Sequence, residues 1–108
     1  MRLLPSLRQK KRYVVVEVLA EKPLSWGEFK EGIEQTLLSF WGQFGLARAG
    51  PMLIPEKFKG QRGIIKVNNV YVDELKAALV LSTKIKNTPI ILRSIATSGT
   101  LKTASSYL

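Results

Sequence analysis

Four cations fall within five residues at Arg8, Lys10, Lys11 and Arg12, and no acid precedes Glu17. Guanidinium and ammonium groups at that density offset the mutual repulsion of phosphates, and the counterions they release favour binding. The run leads directly into Tyr13-Val14-Val15-Val16-Glu17-Val18-Leu19, a β-branched segment of strand composition. A cluster joined to a strand is held at a fixed place on the folded surface and can recognise a shape. The alternative is a solvated basic arm that only aids solubility.

Other chemistries are narrowed by composition. The 108 residues carry 17 Lys and Arg against 8 Asp and Glu, a formal charge of +9, with no cysteine and no histidine. Disulfides, thiolate nucleophiles, Cys/His zinc sites and imidazole acid–base catalysis are thereby excluded. The charge is the footprint of a nucleic-acid or anionic-surface binder. Glu28, Glu31 and Glu34 recur at three-residue spacing, which fits a solvated helix face better than a metal or acid–base site. No apolar run approaches the ~18 residues of a membrane span. A cytoplasmic protein with no membrane partner is expected.

The elements that must position the cations follow from pattern. A hydrophobic content of 45% implies a folded chain, and its length implies one domain. The expected boundaries are a basic arm over 1–12, a domain over 13–102 and a tail over 103–108. Residues 13–19 read as a central strand. Ser25 followed by Glu28 is a capping box, and Trp26, Phe29, Ile33, Leu37 and Phe40 continue from it at helical spacing. Gly42 and Gly45 bracket the expected helix end.

A second strand over Leu46 to Ile54 would be confined to a sheet edge by Pro51. Residues 55–61 then read as a hairpin loop with an exposed Phe58, and residues 63–67 as a third strand. Asn68 or Asn69 could cap a second helix running from Val72 to Ile85, and Ile90 to Ile95 completes a fourth strand. The order β-α-β-β-α-β specifies an α+β, ferredoxin-like sandwich, also that of the RNA-recognition motif. Its four-stranded antiparallel sheet carries two helices on one face, with the first and third strands central.

Strand alternation puts Tyr13, Val15, Glu17 and Leu19 on the open face of that sheet, joined by Ile91, Arg93 and Ile95 and, from the third strand, by Ile64 and Lys66. Glu17 would sit there between cations, and the aliphatic area around it would suit a protein partner through Tyr13, Val15, Ile91 and Ile95. Trp41, off the main helical stripe, is a further candidate contact. An RNA-recognition motif would stack bases on aromatics of its third strand. Here that segment reads Arg62-Gly63-Ile64-Ile65-Lys66-Val67, so base stacking on the sheet is not expected.

The sequence resembles the archaeal-type ribonuclease P protein component 2 family. The resemblance rests on Leu4-Pro5-Ser6-Leu7-Arg8-Gln9-Lys10-Lys11-Arg12-Tyr13, Ala49-Gly50-Pro51-Met52-Leu53-Ile54, Gly63-Ile64-Ile65 and Ser98-Gly99-Thr100-Leu101-Lys102, in order across nearly the whole chain. It implies a noncatalytic, RNA-binding subunit of an RNA-based endonuclease that removes the 5′ leader from precursor tRNA. The implied partners are the ribonuclease P RNA, ribonuclease P protein component 3, other protein subunits and, through the holoenzyme, precursor tRNA.

By the same resemblance no cofactor belongs to the protein itself, and magnesium serves the RNA. The implied RNA contacts are Arg8, Lys10, Lys11 and Arg12 in the first motif, with Ser98, Gly99, Thr100 and Lys102 in the second. Gly99 has no Cβ to keep a phosphate from the backbone, and the neighbouring hydroxyls and N–H groups could donate to its oxygens. A turn that uses Ser-Gly-Thr for conformational reasons is the alternative. A ferredoxin-like interaction or regulatory module with incidental basicity is the competing function.

Overall fold

The computed structural model describes residues 10–108. Strand β1 (Lys11–Ala20) is followed by helix α1 (Trp26–Ala49), the two-residue strand β2 (Met52–Leu53), β3 (Arg62–Asn68) and helix α2 (Val72–Leu81). A short hairpin strand β4 (Lys84–Ile85), the long β5 (Thr88–Ser98) and a last helix α3 (Leu101–Ser105) complete the chain. Every pairing is antiparallel, and the sheet order is β2-β3-β1-β5-β4. This is the ferredoxin-like arrangement with β1 and β3 inside and a fifth, minor strand added beyond β5.

Alternation along β1 divides the interior in two. Val14, Val16 and Val18 point to the helices and join Phe29, Ile33, Leu37, Ile65, Val67, Leu75 and Leu79 in the main core. Val15 points the other way and packs with Ile64 and Ala104. A bulge between Val15 and Val16 against β5 leaves Ile95 as the extra residue, since Val15 pairs with Ala96 and Val16 with Ser94.

The capping box forms as its spacing requires: the Glu28 N–H donates to Ser25 Oγ at 3.2 Å, and the Ser25 N–H donates to Glu28 Oε1 at 3.0 Å. The helix it starts does not stop at Gly42. The chain kinks there, with φ 70° and ψ −179°, and resumes helical turns to Ala49 before Gly50 caps it in the left-handed region. Leu46 to Ala49 are therefore helical, and the expected long second strand contracts to Met52–Leu53. Gly32 meets a different need. A Cβ there would lie 2.5 Å from Ile85 Cδ1, so the glycine admits β4 against α1.

Three further expectations change. Helix α2 ends at Leu81, and Ile85 instead enters β4, whose hairpin turns on Lys86 and Asn87, both with positive φ. Phe58 is half-buried against Phe29, with ring centroids 4.7 Å apart, and is not an exposed loop aromatic. The segment over 103–108 is no free tail. Thr100 caps α3 by accepting from the Thr103 N–H, and Ala104 is fully buried on the sheet.

Candidate RNA interface

Antiparallel pairing of β1 with β5 ends at Tyr13 opposite Ser98, so the first basic motif and the Ser-Gly-Thr motif arrive at the same end of the sheet. There the Arg12 side chain lies over Gly99: a Cβ on that residue would sit 3.1 Å from Nη1 and 3.9 Å from Cζ. Gly99 adopts no unusual φ, so its lack of a side chain serves close approach rather than turn geometry. Lys10 and Lys102 are exposed nearby in the chain, next to Lys11 and at the start of α3 respectively. Arg8 lies outside the described residues.

Lys11 has a second attachment. Its ammonium donates to Asn68 Oδ1, while Asn68 Nδ2 donates to the Arg48 carbonyl at 2.6 Å and the Asn69 N–H donates to the Lys10 carbonyl at 2.6 Å. Asn68 thus ties the start of β1 to the last turn of α1 instead of capping α2, whose first turn has no side-chain cap. A cation at that place also complements the partial negative charge of the α1 C-terminus. Among the described residues the side chains of Lys10 and Arg12 have no such tie.

The hydroxyls of the second motif are largely committed to the backbone. Ser98 Oγ accepts from the Thr100 N–H at 3.2 Å, and Thr100 Oγ1 accepts from the Thr103 N–H at 3.3 Å while donating to Thr103 Oγ1 at 3.0 Å. Thr100 therefore acts first as a helix cap. Among the described residues no acceptor takes the Ser98 hydroxyl proton, and the exposed Gly99 leaves backbone approachable beside the Arg12 guanidinium.

The sheet face expected to be open is half covered. Helix α3 lies over Val15 and Ile64, with Tyr13, Ile95, Leu101 and Leu108 packed around them. Val15 is fully buried and is withdrawn as a partner contact, and Tyr13 and Ile95 are half-buried. Ile91 stays 60% exposed beside Leu19. The signal for α3 was present in the sequence: Thr100 is a capping type, and Leu101, Ala104 and Leu108 recur at helical spacing.

Glu17 sits on this face between two arginines. Arg62 Nε donates to Glu17 Oε2 at 2.9 Å, Arg93 Nε donates to Oε1 at 2.8 Å, and Arg62 Nη1 donates to the Tyr107 carbonyl at 2.7 Å. The hydrogen bonds from Arg62 and then Arg93 hold the Glu17 carboxyl below its ordinary pKa, against the opposing cost of desolvation. Of the two flanking cations expected, Arg93 is there, but Lys66 lies opposite Tyr13 and Arg62 takes its place.

Trp41 is also engaged within the fold. Its indole N–H donates to Glu74 Oε1 at 3.0 Å, and its ring meets Tyr71 edge-on, which fastens α1 to α2. Exposed apolar side chains that sequence reasoning did not single out as contacts are Phe40 and Phe44 on α1 and Val80 and Leu81 on α2; Phe44 is 83% exposed. Phe44 lies beyond the kink at Gly42, where the glycines were expected to end the helix. Of the acids at three-residue spacing, Glu28 is used as the helix cap and Glu31 pairs with Lys86 at 3.3 Å. Among the described residues no cluster of acids has metal-binding geometry, and no helix is long and apolar enough to cross a membrane.

The architecture defines a ferredoxin-like α+β protein whose sheet face is partly closed by a terminal helix and whose two basic motifs meet at one end of the sheet. A profile of the Rpp14/Pop5 family matches residues 12–108, and the chain belongs to that family. It is 39% identical over 98 residues to Ribonuclease P protein component 2 of Thermococcus kodakarensis, covering 91% of this chain and 82% of the relative. The protein of the same name from Methanocaldococcus jannaschii is 33% identical over 100 residues, covering 93% and 73%. A chain in the cryo-EM structure of yeast Ribonuclease MRP shares the fold with a TM-score of 0.69 at 9% identity, over 93% of this chain and 86% of that one.

Proposed function

We propose that this chain, a ribonuclease P protein subunit by family, is noncatalytic and acts by stabilising the folded catalytic RNA that removes the 5′ leader from precursor tRNA. The observation that carries the reading is the meeting of Arg12 with Gly99 at the end of the sheet. A guanidinium beside approachable backbone suits a phosphate oxygen, and Lys10 and Lys102 extend the positive field. Such contacts neutralise backbone charge and position RNA without reading bases.

In this reading the hydrolytic chemistry belongs to the RNA and its magnesium ions, and no cofactor belongs to the protein. Ribonuclease P protein component 3 and further protein subunits complete the particle, in the cytoplasm. The exposed apolar residues on the outer side of α1 and α2 suit a protein neighbour better than the half-covered sheet face does.

The test is multiple-turnover cleavage of a precursor tRNA by the cognate ribonuclease P RNA with component 3 at modest magnesium, with and without the chain. Restored 5′ processing that weakens with Lys10→Ala and Arg12→Ala is expected. No effect on a properly folded RNA would sink the proposal, and so would magnesium-dependent nuclease activity in the chain alone.

A further inference from the structure

We propose that Arg62 is a positioning residue for the RNA interface: by bridging Glu17 and the Tyr107 carbonyl it seats α3, which in turn holds the Ser98–Lys102 loop against Arg12. The inference rests on the RNA-binding reading above.

A five-residue helix cannot maintain itself in water, because the cost of nucleation is spread over too few hydrogen bonds. Its place must come from contacts made elsewhere. At its start, Thr100 supplies the cap. Along its length, Ala104 inserts on Val15 and Ile64, flanked by Leu101 and Leu108. At its end, the Tyr107 carbonyl accepts from Arg62 Nη1. Among the described residues the last is the one charged anchor, and it is fixed in turn, since Arg62 Nε is held by a carboxylate whose other oxygen is occupied by Arg93.

The planar fork of Arg62 is what lets one side chain address both partners; a lysine ammonium is a single point charge and lacks that geometry. Arg62 opens β3 and pairs with Glu17, four residues along β1 from Tyr13, where the strand meets Ser98. It therefore lies about 13 Å along the strand from that pair, and the Arg12–Gly99 contact is one residue further on. At that remove its effect on the contact passes through α3.

The distinction between positioning and direct contact is measurable. A cation that neutralises a phosphate contributes to the salt dependence of RNA binding, and its loss reduces the slope of log K against log salt by about one unit. A residue that only orders the loop changes affinity and leaves the slope alone. The experiment uses the full chain and the cognate ribonuclease P RNA over a series of salt concentrations, with amide hydrogen exchange of residues 104–108 measured in parallel. The variants are Arg62→Met, Arg62→Lys and Ala104→Gln; the last pushes α3 off the sheet without altering any charge.

Faster exchange at 104–108, an affinity loss of about fivefold or more and an unchanged slope are expected for Arg62→Met and Ala104→Gln, with Arg62→Lys in between. A slope reduced by one unit with α3 still protected would make Arg62 a phosphate contact and overturn the positioning role. Faster exchange without loss of affinity would overturn it as well, and so would unchanged exchange and affinity. Lys10→Ala, measured alongside, separates the two levels. If it alters neither affinity nor slope, the RNA-binding reading fails independently of the latch.

Discussion

At the level of single residues, Gly99 and Glu17 carry opposite kinds of consequence. Gly99→Ala would place a methyl 3.1 Å from the Arg12 guanidinium, the far end of a flexible side chain that can yield. We expect a stability change within about 0.5 kcal/mol by thermal unfolding and a measurable loss of RNA affinity as Arg12 is displaced; unaltered affinity would remove the pairing from the interface. Glu17 behaves differently. Because its folded pKa is lowered, its contribution to stability is present above the ordinary value of 4.5 and is lost as pH falls through the lowered folded value. Denaturation midpoints of the native chain should therefore decline below pH 4.5 more steeply than those of Glu17→Gln. The acid decline that remains in the variant has a further source in Glu28, whose carboxyl is lowered by its hydrogen bonds to Ser25. Lys11 shows why residue type alone misleads. Its cation belongs to the basic motif, yet its ammonium is bound to Asn68, so Lys11→Ala should loosen the α1 terminus as well as any RNA contact.

Among the elements, legibility in the sequence tracked how local the determining contacts are. The Ser25–Glu28 box, the helical stripe after it and the β-branched run of β1 each act within a few residues, and each produced the expected element. The end of α1 was misread because Gly42 looks like a stop, whereas Leu46 and Ala49 pack back on the core and recruit the next turns. Ile85 continued the helical spacing of α2, but space opened by Gly32 across the fold draws it into β4. Neither contact is visible in a local window. Two substitutions check these roles by denaturant unfolding. Gly42→Ala has open space for its methyl but a backbone conformation that is nearly exclusive to glycine, and should cost about 1–3 kcal/mol. Gly32→Ala has the reverse problem, ordinary helical backbone with a methyl driven into Ile85, and should cost about 1–3 kcal/mol by overpacking. A neutral result at either site would remove the corresponding account.

For the whole molecule, the +9 charge matters less than where it converges. Sequence order alone put Arg12 and Gly99 near opposite ends of the chain; the register of β1 against β5 unites them. The measurement at this scale is the salt slope of RNA binding, which should fall by about one unit for each of Lys10→Ala and Arg12→Ala and stay unaltered for Lys57→Ala, in the loop beyond β2. The sheet that brings the motifs together has unequal flanks. On one side β3 is followed by the brief β2, and on the other β5 runs eleven residues while β4 accompanies only Thr88 and Pro89. Past Pro89 no described strand occupies the outer rim of β5. Such a rim is a template on which foreign strands add and chains aggregate. The bulge at Ile95 breaks its regular spacing of donors and acceptors. The irregularity in β5 thus works against edge-to-edge pairing along a margin that no described strand covers.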